Sequence, residues 1–204
     1  MSPMKRYNDY LIAALIGFNI GWLALFPEVH LGLQPTFALV LMSVIGFALA
    51  VPLGLFWCGL LGRRHCAIRE FGKFSAVGAM NTAIDLGILN LFMFFTGYAS
   101  GLFFIIAKTI AYFIANLNAF VLNKYWTFGD ATAGARKQYP IFLLFSIAGA
   151  VINVGVTTAL VEYIAPPFAM SAPLWANVAA LIGTGALFIL NFITYRTYVF
   201  ARRP

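Results

Sequence analysis

Apolar residues dominate six stretches of the chain, at about 10–26, 36–61, 74–95, 102–123, 140–163 and 174–195. Each is of the length a helix needs to cross a bilayer core about 30 Å thick. The segments between them, such as TGYASG, GDATAGARKQYP and EYIAPPFAMSAP, are rich in turn-forming residues. The pattern predicts an all-α, polytopic membrane protein of about six transmembrane helices. Polar residues inside the stretches also follow the helical period. At about 100° per residue, Lys108, Tyr112, Asn116, Ala119 and Asn123 fall within a sector of about 80° on the fourth span, and Asn118 points away. The third span groups Ser75, Gly78, Thr82 and Asp85, with Asn81 at the edge. The fifth groups Ser146, Asn153 and Thr157, and the sixth Asn177, Thr184, Asn191 and Tyr195. Lipid cannot satisfy such faces, so the four helices are expected to turn them toward one another.

The region from residue 71 onward echoes itself. FSAVGA at 74–79 matches FSIAGA at 145–150, Asn81 matches Asn153, and FVLNKYWTF at 120–128 matches FITYRTYVF at 192–200, at offsets of 71 or 72. This predicts two parallel two-helix repeats, about 71–128 and 142–200, related by an axis along the membrane normal. They form a four-span domain at 63–204. Residues 1–62 read as an accessory two-span hairpin. It holds few polar groups apart from Asn19, between Gly17 and Gly21 in a GxxxG packing face, and Pro52 is expected to kink its second helix. Lys5 and Arg6 before the first apolar run resemble a signal peptide, but no small-x-small cleavage site follows, so the run reads as an uncleaved span.

Composition agrees: 62% of the 204 residues are hydrophobic and 9% are charged. Twelve of the 13 lysines and arginines fall on one side of a six-span arrangement, and the opposite loops carry only Glu28 and Glu162. By the positive-inside rule both termini are cytoplasmic. The net charge of +7 is scattered over short loops, which speaks against nucleic acid as a partner. Cys58 and Cys66 fit no metal spacing and read as free thiols. There is no Gly-rich phosphate loop, no metal-ligand cluster and no nucleophile with a base nearby, so neither a water-exposed enzyme site nor a cofactor is expected.

The thirteenth cation, Lys108, lies inside the fourth span, and Asp85 inside the third. A charge at this depth costs roughly 2.5–3.5 kcal/mol on the mildest scale. A structural salt bridge is one reading. The repeat equivalents, Thr157 and Ala180, make a similar hairpin without a charged pair, which favours a role in a polar cavity. Single Asn, Ser or Thr residues can equally be interhelical glue at about 0.6 kcal/mol each. Lys124 and Arg196 are repeat-equivalent cations, and Trp126 and Tyr198 repeat-equivalent aromatics, at the ends of spans four and six. They fit a positive-inside, aromatic-belt pattern, and equally a pair of cations at headgroup depth suited to a lipid phosphate.

The stretches FGKFSAVGAMNTAIDLGI at 71–88, NAFVLNKYWTF at 118–128 and NFITYRTYVF at 191–200 make the region 71–203 resemble the GtrA-like family of polysaccharide-biosynthesis membrane proteins. The family usually has four spans, so the hairpin is an addition. The resemblance implies a multi-pass protein of the bacterial inner membrane that moves an undecaprenyl-phosphate-linked monosaccharide from the cytoplasmic to the periplasmic leaflet. On that footing Lys124 and Arg196 would meet the phosphate, with Lys108 beyond the midplane or neutralising Asp85. Asn81, Asp85, Tyr112, Asn116, Asn123, Asn153, Asn177 and Asn191 would line the sugar path. Two alternatives stay open: a membrane anchor for a glycosyltransferase, and a small proton-coupled solute exporter using Asp85. The partners expected are the polyprenyl-phosphate-linked sugar and membrane lipid. A glycosyltransferase or a second copy of the chain are the protein partners such a molecule could take.

Overall fold

The computed structural model describes residues 3–30, 36–62, 66–128, 135–185 and 187–199. Arg63, Arg64, Arg202 and Arg203 lie outside the described residues, as do the side chains of Lys5, Arg6, Cys66, Arg136 and Lys137. Among the described residues there are helices and no strand. They run as α1 (Pro3–His30), α2 (Phe37–Leu61), α3 (Cys66–Thr96), α4 (Gly101–Leu122), α5 (Ala135–Tyr163), α6 (Ala172–Gly185) and α7 (Phe188–Thr194). A π turn, Asn123–Thr127, continues α4, and a second, Tyr195–Val199, continues α7. The two π turns start 72 residues apart, which is the offset of the sequence echo.

Among the described residues, five helices are long and apolar enough to cross a membrane. The sixth stretch, expected as one continuous span, is instead two pieces. Gly183, Thr184 and Gly185 are weak helix formers. Thr184 turns its hydroxyl back onto Ala180 O at 2.9 Å. Leu187 N then donates to Thr184 O at 3.2 Å, a tightened turn, before the ladder resumes with Asn191 N on Leu187 O. At 14 residues, α6 is about 21 Å long, short of a full crossing.

Hydrocarbon offers no hydrophobic drive for helix association, so close packing decides the arrangement. In the hairpin, Gly17 and Gly21 of α1 lie against the backbone of α2: a Cβ on Gly17 would sit 2.1 Å from Phe47 O, and one on Gly21 2.6 Å from Ser43 O. Ser43 Oγ seals the contact by donating to Gly21 O at 2.9 Å. Most of α2 is apolar and outward, with Met42, Leu49, Leu53 and Trp57 exposed, while Leu55 turns into the core. α2 runs unbroken through Pro52. α1 also packs on α3, α3 on α4, α4 on α5 and α5 on α6. The turn between α3 and α4 uses Gly97 and Gly101 at φ of 72° and 75°, a region that only glycine enters freely.

Candidate functional site

The helical phase of α4 buries its polar stripe: Lys108, Tyr112, Asn116, Ala119 and Asn123 are all buried. This stripe faces α3 and α5. Between them, and closed by α7 and its neighbours, lies a cleft of about 600 Å³ counted out to its open mouth. Asn81 and Asp85 of α3 line it, with Tyr112, Asn116 and Asn123 of α4 and its π turn, Asn153 of α5, Thr184, Asn191 and Tyr195. Phe74 and Phe188 flank them as apolar walls. Seven of the residues expected on a sugar path therefore share one space.

Of the eleven expected site residues, the sugar-path Asn177 and the three cations do not line it. Lys108 is fully buried and donates from Nζ to Asp85 Oδ2. Asn177 is on the far side of that pair, in a reciprocal amide bond with Asn90. Asn90 Nδ2 donates to Asn177 Oδ1 at 2.6 Å, and Asn177 Nδ2 to Asn90 Oδ1 at 2.9 Å. Lys124 and Arg196 follow directly after two lining residues, Asn123 and Tyr195. Lys124 is buried, with Nζ 5.7 Å from the Tyr125 ring centroid. Arg196 is partly exposed, and its Nε donates to Glu70 Oε2 at 3.0 Å.

The cleft has a floor and a mouth. On α3 its lining runs from Phe74 to Asp85, and on α4 from Asn123 back to Tyr112. Each stretch covers about 16 Å at 1.5 Å per residue, roughly half of a 30 Å core. Past Asp85–Lys108 the helices close. Leu86, Leu89, Met93, Phe104, Ala107, Ala111, Ala176 and Ala180 pack together, with Asn90–Asn177 bonded among them. The cleft thus extends from the cation-bearing π turns to the ion pair.

Its walls differ in hydrogen bonding. Around Asn116 the contacts are long: Ser146 Oγ donates to Asn116 Oδ1 at 3.4 Å and Tyr195 Oη to the same atom at 3.5 Å. Elsewhere around the cleft Asn81 Oδ1, Asp85 Oδ1, Asn123 Oδ1 and Asn153 Oδ1 are buried without a hydrogen-bond partner. Native interiors leave few such atoms, and four around one cleft mark a place where donors are missing. Asn118, off the stripe, keeps a buried Nδ2 without a partner as well.

Three contacts had no signal that sequence reasoning used. Asn90 is a lone amide in an apolar run, and its partner is 87 residues away. Asp9 of α1 accepts from Lys73 Nζ at 2.5 Å and from Trp126 Nε1 at 3.0 Å. That second bond corrects the expectation for Trp126. It is buried rather than interfacial, because α1 covers it, while Tyr198 is exposed as expected. The third contact is Glu70 with Arg196. Each couples groups brought together only by tertiary packing.

Helices of spanning length enclosing a half-depth polar cleft define a polytopic membrane protein. Residues 73–200 match the GtrA/DPMS transmembrane domain, and the chain belongs to that family. It is similar to the uncharacterized membrane protein YngA of Bacillus subtilis (strain 168), at 32% identity over 133 residues, covering 65% of this chain and 80% of that one. No solved structure matches it.

Proposed function

We propose that this protein moves a polyprenyl-phosphate-linked monosaccharide between the leaflets of a bacterial inner membrane, with undecaprenyl phosphate as the carrier and the periplasmic leaflet as the destination. The observation that carries this reading is the set of unpartnered buried oxygens in a membrane-embedded cleft that begins beside Lys124 and Arg196. A lipid-linked sugar has a tail that stays in lipid, a phosphate that needs cations and a headgroup that needs polar partners. Lys124 and Arg196 take the phosphate, and for Arg196 this means exchanging Glu70 for the ligand. Asn81, Asp85, Tyr112, Asn116, Asn123, Asn153 and Asn191 take the headgroup. No bond is made or broken in this reading. Lys108, held on Asp85, weighs against an exporter of cations, which would need that carboxylate for itself.

The family description joins GtrA to DPMS, and this supports a second reading as a membrane scaffold for a glycosyltransferase. Reconstitution separates the two. Proteoliposomes holding the full chain and a labelled polyprenyl-phosphate sugar should carry label between leaflets faster than protein-free vesicles. Equal rates would leave the scaffold. Lys124→Ala with Arg196→Ala should weaken binding of citronellyl phosphate roughly tenfold or more, the scale of charge-assisted hydrogen bonds.

A further inference from the structure

We infer that the inner end of the cleft, at Asp85 and Asn153, receives a headgroup that donates hydrogen bonds, a neutral polyhydroxylated sugar or an amino sugar, and rejects a sugar acid. The inference rests on the reading above that the cleft holds the headgroup of a lipid-linked sugar.

The orientation of Asn153 is fixed by its neighbours. Thr184 has one hydroxyl proton, and it goes to Ala180 O at 2.9 Å. Toward Asn153 the hydroxyl can therefore only accept, and it does so from Nδ2 at 3.1 Å. The amide carbonyl is thereby turned away as an acceptor, and it has no partner. α5 and α6 can come this close because Gly183 lies between them: a Cβ there would be 2.7 Å from Thr157 Oγ1 and 2.9 Å from Asn153 O. Asp85 reaches the same condition by another route. Its Oδ2 holds Lys108, and its Oδ1 has no partner. A carboxylate in an ion pair has only acceptors to offer. Asn81 Oδ1 adds a third unpartnered oxygen one helical turn from Asp85.

Three donors close to these oxygens are already engaged. The amide nitrogen of Asn153 is on Thr184, and that of Asn116 is directed at Tyr112 O at 3.5 Å. The ammonium of Lys108 is held on Asp85 and is fully buried. An entering carboxylate would meet oxygens without a facing cation, whereas hydroxyl or ammonium hydrogens would fill the vacant acceptors. Satisfying a buried acceptor and desolvating a like charge act with opposite sign. Phe74 and Phe188 supply flat apolar walls against which the C–H face of a pyranose can pack.

Three short-chain probes test this on the purified full-length protein in detergent: citronellyl phosphate, citronellyl phosphoryl-glucose and citronellyl phosphoryl-glucuronate. Titration calorimetry should find the glucose conjugate bound roughly tenfold tighter than the bare phosphate, the scale of one or two acceptors newly paired. The glucuronate conjugate should bind no tighter than the bare phosphate. Asn153→Leu should remove about fivefold of the glucose advantage and leave citronellyl phosphate binding unchanged. If that variant does not fold, the wild-type comparison decides alone. Equal affinity for the two sugar conjugates would overturn the inference while leaving leaflet transport untouched. Sodium that tightens binding of the bare phosphate as much as glucose does would also overturn it, making the oxygens a cation site. The broader reading fails separately, when none of the three probes binds and reconstituted vesicles carry no label.

Discussion

Lys73 and Lys108 are both buried lysines on neighbouring helices, and each holds an aspartate. Around Lys73 the hydrogen bonding closes on itself. Asp9 Oδ1 takes both the ammonium and the indole N–H of Trp126, Lys73 also reaches Trp126 O at 3.3 Å, and the Trp126 ring centroid is 5.3 Å from Nζ. Around Lys108 it stays open, because Asp85 keeps one oxygen without a partner at the edge of a cleft. A buried ion pair is weak evidence of stabilisation by itself, since desolvation offsets much of the attraction. What separates the two is completion. The first pair ties the hairpin to α3 and the first π turn, and every group serves that junction. The second leaves one carboxylate oxygen unpartnered beside the cleft.

The largest effect is expected where that comparison is sharpest. Asp85→Asn strands a fully buried cation and should cost about 3–5 kcal/mol, read as a lower thermal midpoint in detergent. Adding Lys108→Met should restore the midpoint but not leaflet transport. Transport regained in the double variant would make the pair structural, like its counterpart at Lys73.

A smaller loss is expected from Asp9→Asn. The amide still accepts from Trp126, and Lys73 keeps its bond to Trp126 O, so about 1–3 kcal/mol should go. Asp9→Asn with Lys73→Met should recover most of it, and transport per folded molecule should match wild type throughout. Transport lost in a folded Asp9 variant would bring the hairpin junction into the transport cycle and erase the contrast.

Asn177→Leu should have the mildest effect. Asn90 keeps its bond to Leu86 O at 2.7 Å and loses the reciprocal pair, at about 1 kcal/mol. The midpoint should shift slightly, with glucose-conjugate binding unchanged. A loss of that binding would extend the site across the sealed half of the helices.

Much of the site was legible because it is periodic. A polar residue every three or four positions in an apolar helix has one inexpensive direction to face, so Tyr112, Asn116 and Asn123 were placed from α4 alone. Asn177 followed the same rule to a buried face, but burial has two uses, and only its bond to Asn90 shows which applies. The break in the sixth stretch was hidden for a different reason. Hydropathy counts apolar side chains and ignores whether the backbone ladder continues past Gly185. Trp126 was misplaced because an aromatic at a helix end looks the same to the sequence whether lipid or α1 lies against it.

The π turns carry a consequence of their own for descent. Phe128 N bonds to Asn123 O, five residues back, so the turn holds one residue more than an α turn and swings everything beyond it by about 100°. An insertion of that kind turns the side chains that follow onto another face of the helix. Here two stand 72 positions apart, Asn123–Thr127 and Tyr195–Val199, and the residue after each start is the cation, Lys124 in one and Arg196 in the other. If the two halves arose from one doubled helix pair, the insertion is older than the doubling. The ancestor would then have been a single hairpin, obliged to meet a second copy of itself to complete the cleft.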